Sequence, residues 1–165
     1  MPSFAANRKV FFLAVNTGYA IGRQPDGRCR EFYASRSGNG LYCAIVGNVV
    51  VPGGFASNDV CAEISPSESW RDLAGSIAER GTRPGIQLTS AWSDYRGMRS
   101  FVSRGTRQAI IDYKAVVGRM SEDSVRDIIA RLRRGTEYAV DAGFGHIQVH
   151  AAHGYLFSLL IDEQF

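Results

Sequence analysis

The sequence predicts an α/β protein built on a parallel sheet, and three observations carry that expectation. Residues 9–15 (Lys-Val-Phe-Phe-Leu-Ala-Val) and residues 41–51 are apolar almost throughout, as strands covered on both faces are. Amphipathic helical patterns alternate with them, the strongest beginning at Ser121. The resulting order, β-α-β-α-β-α-β and the start of a further helix, is the alternation from which parallel sheets with right-handed crossovers are made.

Residues 9–15 form the first strand. Residues 16–27 read as a loop, with Gly18, Gly22 and Pro25-Asp-Gly27 as turn chemistry. Residues 28–37 suit a short helix stopped by Gly38-Asn-Gly40. The second strand, residues 41–51, is interrupted by Gly47-Asn48 and closed by Pro52-Gly-Gly54. A glycine inside such a strand marks either close approach of the backbone to a ligand or simple loosening of the strand end. Residues 66–80 read as a helix with Ser65 as N-cap, Pro66 in the first helical position and Glu68 three residues after the cap. Trp70, Leu73 and Ile77 recur at helical spacing, and Gly81 is the stop. Residues 85–89 (Gly-Ile-Gln-Leu-Thr) make the third strand.

Residues 90–120 form a long connection with one short helix near residues 108–113, and connections of that length in a compact domain usually carry function. Trp92 and Tyr95 there read as packing under the loop in preference to a lid over a flat ligand. Ser121 then caps the strongest helix, Glu122 and Asp123 suit its positive end, and Val125, Ile128, Ile129, Leu132, Ala139 and Val140 form its apolar face. Gly143 ends it. Residues 146–150 are the fourth strand, and residues 155–165 begin another helix.

The stretch Gly143-Phe-Gly-His-Ile-Gln-Val-His-Ala-Ala-His-Gly-Tyr-Leu156 is where chemistry is expected. Strand side chains alternate, so His146, Gln148 and His150 share one face and Ile147 and Val149 the other. His150 stands at the strand's end, with His153 and Tyr155 in the loop beyond. Titratable groups at the C-terminal end of a parallel strand sit where α/β barrels do chemistry. A metal is disfavoured, because His146 and His150 would lie about 13 Å apart on an extended strand. Instead His146 is expected to point inward at the opposite end of the sheet.

At 165 residues the chain fits one domain, residues 1–165, able to bury roughly 70% of its unfolded surface. The net charge is only +3, and all the basic residues but Lys9 and Lys114 are Arg, with one short cluster at Arg131, Arg133 and Arg134. That is a solvated helix face and not a nucleic-acid footprint, which needs a denser basic stripe among exposed aromatics. The longest apolar run, residues 41–51, is too short to span a bilayer, and the first residues lack an apolar signal core. Three cysteines (Cys29, Cys43, Cys61) without C-x-x-C spacing argue for free thiols, and the expected location is cytoplasmic. No G-x-G-x-x-G follows the first strand, and neither a P-loop nor a G-x-S-x-G elbow is present.

Four local matches, in order, make the chain similar to the N-terminal half of the old yellow enzyme family, the NADH:flavin oxidoreductases. They are Asn7-Arg8 before the first strand, Gly47-Asn48-Val49-Val50-Val51, Ile86-Gln87-Leu88, and Gly143-Phe144 through His150-Ala-Ala-His153-Gly-Tyr-Leu156, the last being the most specific. The resemblance implies an α/β fold that is half of a (β/α)8 TIM barrel: four parallel strands with alternating helices, completed by oligomerisation. It implies FMN as cofactor and NADH or NADPH as electron donor. Gly47 matches the position whose backbone lies against the flavin, with Asn48 beside it and Val15 at the end of the first strand. Gln87 matches the amide that bonds the pyrimidine edge of the ring. His150 and His153 match the pair that holds and polarises the carbonyl of a small-molecule substrate, and Tyr155 a residue placed near the substrate, in some members as proton donor. Hydride adds to an activated alkene only where fixed donors stabilise charge growing on that oxygen.

The chain also departs from the family. Phe12-Leu13-Ala14-Val15 replaces a proline followed by Thr or Cys, and Ser90, Trp92 and Ser93 replace His and Gly-Arg. Leu160-Ile161-Asp162-Glu163 replaces Phe-Leu-Ser-Pro, which fits a natural stop. The family's phosphate-binding loops follow later strands, where barrel enzymes generally hold phosphate. A half barrel leaves two strand edges and one sheet face uncovered, so a homo- or hetero-oligomer is expected to complete it. Two functions follow: an FMN oxidoreductase subunit, or a flavin-free descendant that binds, assembles, or uses its histidines for acid/base work.

Overall fold

The structure is a computed structural model that describes residues 8–92 and 106–161. Asn7, Ser93, Tyr95, Asp162 and Glu163 lie outside the described residues. Among the described residues six strands and five helices follow one another: β1 (Phe11–Val15), β2 (Ala20–Ile21), β3 (Gln24–Pro25), α1 (Gly27–Ala34), β4 (Cys43–Val50), α2 (Glu68–Ala78), β5 (Arg83–Thr89), α3 (Thr106–Val117), α4 (Glu122–Asp141), β6 (His146–Val149) and α5 (Leu156–Ile161). The main sheet runs β1-β4-β5-β6 in chain order with every pairing parallel, and helices flank it. This is the expected half of a (β/α)8 barrel.

Alternation divides the sheet into two faces. Ala44, Val46, Ile86 and Leu88 point to the helices and form the core with Tyr33 of α1, Trp70, Leu73 and Ile77 of α2, and Ala139 of α4. The opposite, concave face carries Phe11 and Leu13 from β1, Gln87 from β5, and His146, Gln148 and His150 from β6, while the slip in β1 after Phe12 pairs Val15 with Val46 of the helix-side core. Its curl is tight: Phe11 on one edge strand meets the His146 ring on the other, centroids 5.6 Å apart. His146 therefore does point inward at the N-terminal end of the strands. Leu13 and Val15 remain exposed, at 66% and 42%, and β1 and β6 each pair with one neighbour in the sheet.

Several local expectations need correction. Residues 16–27 are not all loop: β2 and β3 form a small antiparallel hairpin about Gly22 and Arg23, both at positive φ. Ser65 does not cap α2, which starts after Ser67. The Ser65 and Ser67 hydroxyls both donate to Gln24 Oε1 in the hairpin, at 3.0 and 2.6 Å, so Pro66 stays outside the helix and Ser67 caps without a side-chain bond. The short helix near residues 108–113 extends over Thr106–Val117. Ser121 caps α4 as expected, its hydroxyl accepting from the Ser124 amide. Ile129 and Val140 are exposed rather than buried. The buried strip of α4 centres on Gly135, where a Cβ would meet Pro52 at 3.2 Å and Ile64 at 3.3 Å. The helix lies so close there that residues on the flanks of the strip miss the sheet.

Candidate active site

β6 delivers His150 to its C-terminal end, where the backbone amide still bonds the Leu88 carbonyl of β5 at 2.8 Å. The chain then reverses through His153 and Gly154, both at positive φ. This turn brings His153 Nδ1 to 3.2 Å from His150 Nε2. Tyr155 closes on the edge of the His150 ring, centroids 4.8 Å apart at 67°. Two bonds from the end of β5 hold the loop: Trp92 Nε1 donates to the Gly154 carbonyl, and the Leu156 amide to the Ser90 carbonyl, each at 3.0 Å. Trp92 also packs against Leu159 of α5, so packing is the reading that holds for it.

On the same concave face Gln87 Nε2 donates to Gln148 Oε1 at 2.6 Å. Gln148 is the residue that sequence reasoning left out of the site. Its alternation with His150 was the available signal, but its partner lies 61 residues away. Val15, Gly47 and Asn48 come together at the ends of β1 and β4, beside a small recess of about 20 Å³. Both strand ladders slip here, between Phe12 and Val15 and between Val46 and Val49. Gly47 has its own reason to be glycine, since a Cβ would stand 2.9 Å from Gln87 Cβ and 3.2 Å from Ala14 Cβ. Close approach of neighbouring strands, and not of a ligand alone, excludes a side chain. A second unforeseen residue secures this junction: the fully buried Tyr33 phenol donates to the Val15 carbonyl (2.9 Å) and accepts from the Gly47 amide (3.3 Å). Burial pushes that phenol up to about 12, so it remains protonated and able to donate.

Burial first, and the charge of His153 second, hold the His150 imidazole below its ordinary value of 6.5. The unfolded chain therefore takes up a proton at this residue before the folded one does. The contribution of His150 to stability is complete above about pH 6.5 and declines as pH falls toward its folded value. Thermal unfolding followed from pH 7.5 to 5 is expected to fall more steeply for the native protein than for His150→Gln. Parallel curves would contradict the depressed imidazole.

The donor set suits a flat heteroaromatic ring. Gln87 and Gln148 offer an amide edge, and the exposed Leu13 an apolar rim. It does not suit a phosphate: residues 11–22, 43–67, 85–92 and 146–156 contain no Lys or Arg, and Arg23 of the hairpin is paired with Glu63 at 3.1 Å.

A half-barrel wall with titratable groups at the C-terminal ends of its strands is thus the class of protein that fold and site define. The fold superposes on the crystal structure of Old Yellow Enzyme from Pichia sp. AKU4542 with a TM-score of 0.71, over 90% of this chain and 43% of that one, at 15% identity. The sequence pattern of the NADH:flavin oxidoreductase / NADH oxidase family matches residues 9–165, and the chain belongs to that family. It is 22% identical to 12-oxophytodienoate reductase 7 of Oryza sativa subsp. japonica, over 99% of this chain and 46% of the relative. It is 29% identical to the NADPH dehydrogenase of Bacillus subtilis (strain 168), over 54% of this chain and 26% of the relative. The chain thus spans less than half the length of these relatives.

Proposed function

We propose that this chain is the ring- and substrate-facing wall of an FMN-dependent oxidoreductase that uses NADH or NADPH to reduce an alkene conjugated to a carbonyl. The observation that carries this reading is the placement of the His150–His153 pair on the same concave face as the Gln87–Gln148 amides. FMN, when bound, supplies the hydride. Gln87, oriented by Gln148, meets the pyrimidine edge of the ring, with Val15, Gly47 and Asn48 at its margin. When His150 Nε2–H donates to His153 Nδ1, His153 carries its own proton on Nε2 and presents that N–H to the substrate oxygen. Charge growing on the oxygen is then met by a fixed donor. Tyr155 stands beside the pair to deliver the proton that completes reduction.

A homo- or hetero-oligomeric partner closes the barrel and brings the cation that the phosphate requires. Membership of the family and the uncovered sheet face support that part of the reading. Cys29, Cys43 and Cys61 are buried free thiols, which suits a reducing, cytoplasmic setting.

Titration with FMN is the test. Bands near about 370 and 450 nm in the purified protein, or quenching of added FMN fluorescence, are expected. Gln148→Leu should weaken binding about three- to tenfold by freeing the Gln87 amide to turn. A sample that stays colourless and leaves excess FMN unquenched removes the flavin reading for this chain alone and favours the non-redox one.

A further inference from the structure

A second cavity, of about 420 Å³, opens outside the strand ends, between the rim of the sheet and the α3–α4 connection. Its walls are largely apolar. Phe55 comes from the loop after β4, Trp92 from the end of β5, Leu156 from the start of α5, and Val116 and Ile128 from α3 and α4. Phe55 is 51% exposed and offers its ring to the cavity.

The polar groups are unequally satisfied. Ser90 Oγ donates to the Ala91 carbonyl (2.9 Å) and accepts from the Phe55 amide (3.2 Å), so it asks for no ligand. Arg131 is engaged by Asp127 at 2.6 Å and by the Gly53 carbonyl. Arg119 also lines the cavity and has no carboxylate partner among the described residues. An exposed cation with no carboxylate partner among the described residues thus stands beside an apolar, partly aromatic wall, in a volume within the range of small-molecule sites.

We propose that this cavity binds a small carboxylate with an apolar, ring-sized body, and that its occupancy is felt at the His150–His153 pair. The anionic group meets Arg119, and the ring lies against Trp92 and Phe55. Transmission has a short route. Trp92 and Leu156 are cavity walls and also make the two bonds, to Gly154 and Ser90, that hold the His153–Tyr155 loop. The proposal is independent of the flavin reading, because no part of the cavity belongs to the concave face.

Calorimetric titration with 2-naphthoate, beside its neutral analogue 2-naphthalenemethanol, tests the site. Saturable binding of the acid is expected, weakened about fivefold by Arg119→Ala and abolished by Ser124→Phe. Ser124 is exposed at the cavity wall; the substitution gives up its hydroxyl contact with the Ser121 hydroxyl (2.9 Å) but keeps the backbone N–H that the Ser121 cap accepts from, so the ring enters the cavity with the cap of α4 in place. The imidazole NMR signals of His150 and His153 should shift with occupancy while that of His146, at the far end of β6, stays in place. Equal affinity for the alcohol, affinity indifferent to both substitutions, absence of saturable binding, or three stationary histidine signals would each overturn the proposal.

Discussion

Trp70→Ala is expected to lose about 3–5 kcal/mol of stability, the range for removing a large aromatic from a packed core. Trp70 is fully buried in the first turn of α2, lies edge-on to Phe144 (centroids 6.3 Å apart), and donates from Nε1 to the Glu63 carbonyl at 3.2 Å. Truncation opens a cavity in the core between α2 and the sheet. Trp70→Phe should recover most of the loss. The Glu63 carbonyl keeps a second donor in Gln24 Nε2 at 3.4 Å, so the lost indole bond leaves no orphaned acceptor. Urea unfolding at constant slope measures both variants. A loss under about 1 kcal/mol for the alanine would mean that the core repacks and that its layers are less tightly specified than the burial indicates.

Gly47→Ala is the second large effect, and it differs in kind. The added methyl meets Gln87 Cβ and Ala14 Cβ on the two adjacent strands. Neither atom is the far end of a flexible side chain, so the strands themselves have to move, at a cost of about 1–3 kcal/mol. Because Gln87 is one of the atoms displaced, its bond to Gln148 is disturbed too. FMN quenching, where present, should be lost disproportionately to stability. Restoring stability with osmolyte would then leave binding impaired. A variant as stable as the parent would show that the slip in the strand ladders has slack, and that the glycine serves something other than strand packing.

Much of the fold was legible because its strands are short apolar runs and its best helix carries a cap and acidic first turn at Ser121, Glu122 and Asp123. The hairpin was not. Its strands are two residues each, and its turn places Arg23 at positive φ, with none of the Asn-Gly or Asp-Gly chemistry that announces such turns. Ser65 was a reasonable cap by local rule, but Gln24 lies 41 residues earlier and draws its hydroxyl away. The catalytic candidates show the same division. His150, His153 and Tyr155 lie within six residues, so period-two alternation and one loop suffice to bring them together. Gln148 and Tyr33 act through partners on other strands, and no local pattern encodes that a helix-borne phenol will bridge the Val15 carbonyl and the Gly47 amide.

The meeting of Phe11 with His146 has a structural corollary. Rings from opposite margins of a sheet touch only when the wall between them is already bent to barrel radius, and here that bend is internal to one chain. Any polypeptide that completes the circle therefore encounters a preshaped trough with its N-terminal end plugged. Docking becomes a matter of matching an existing arc, and the His150 and His153 imidazoles stand at the opposite, C-terminal end of that trough.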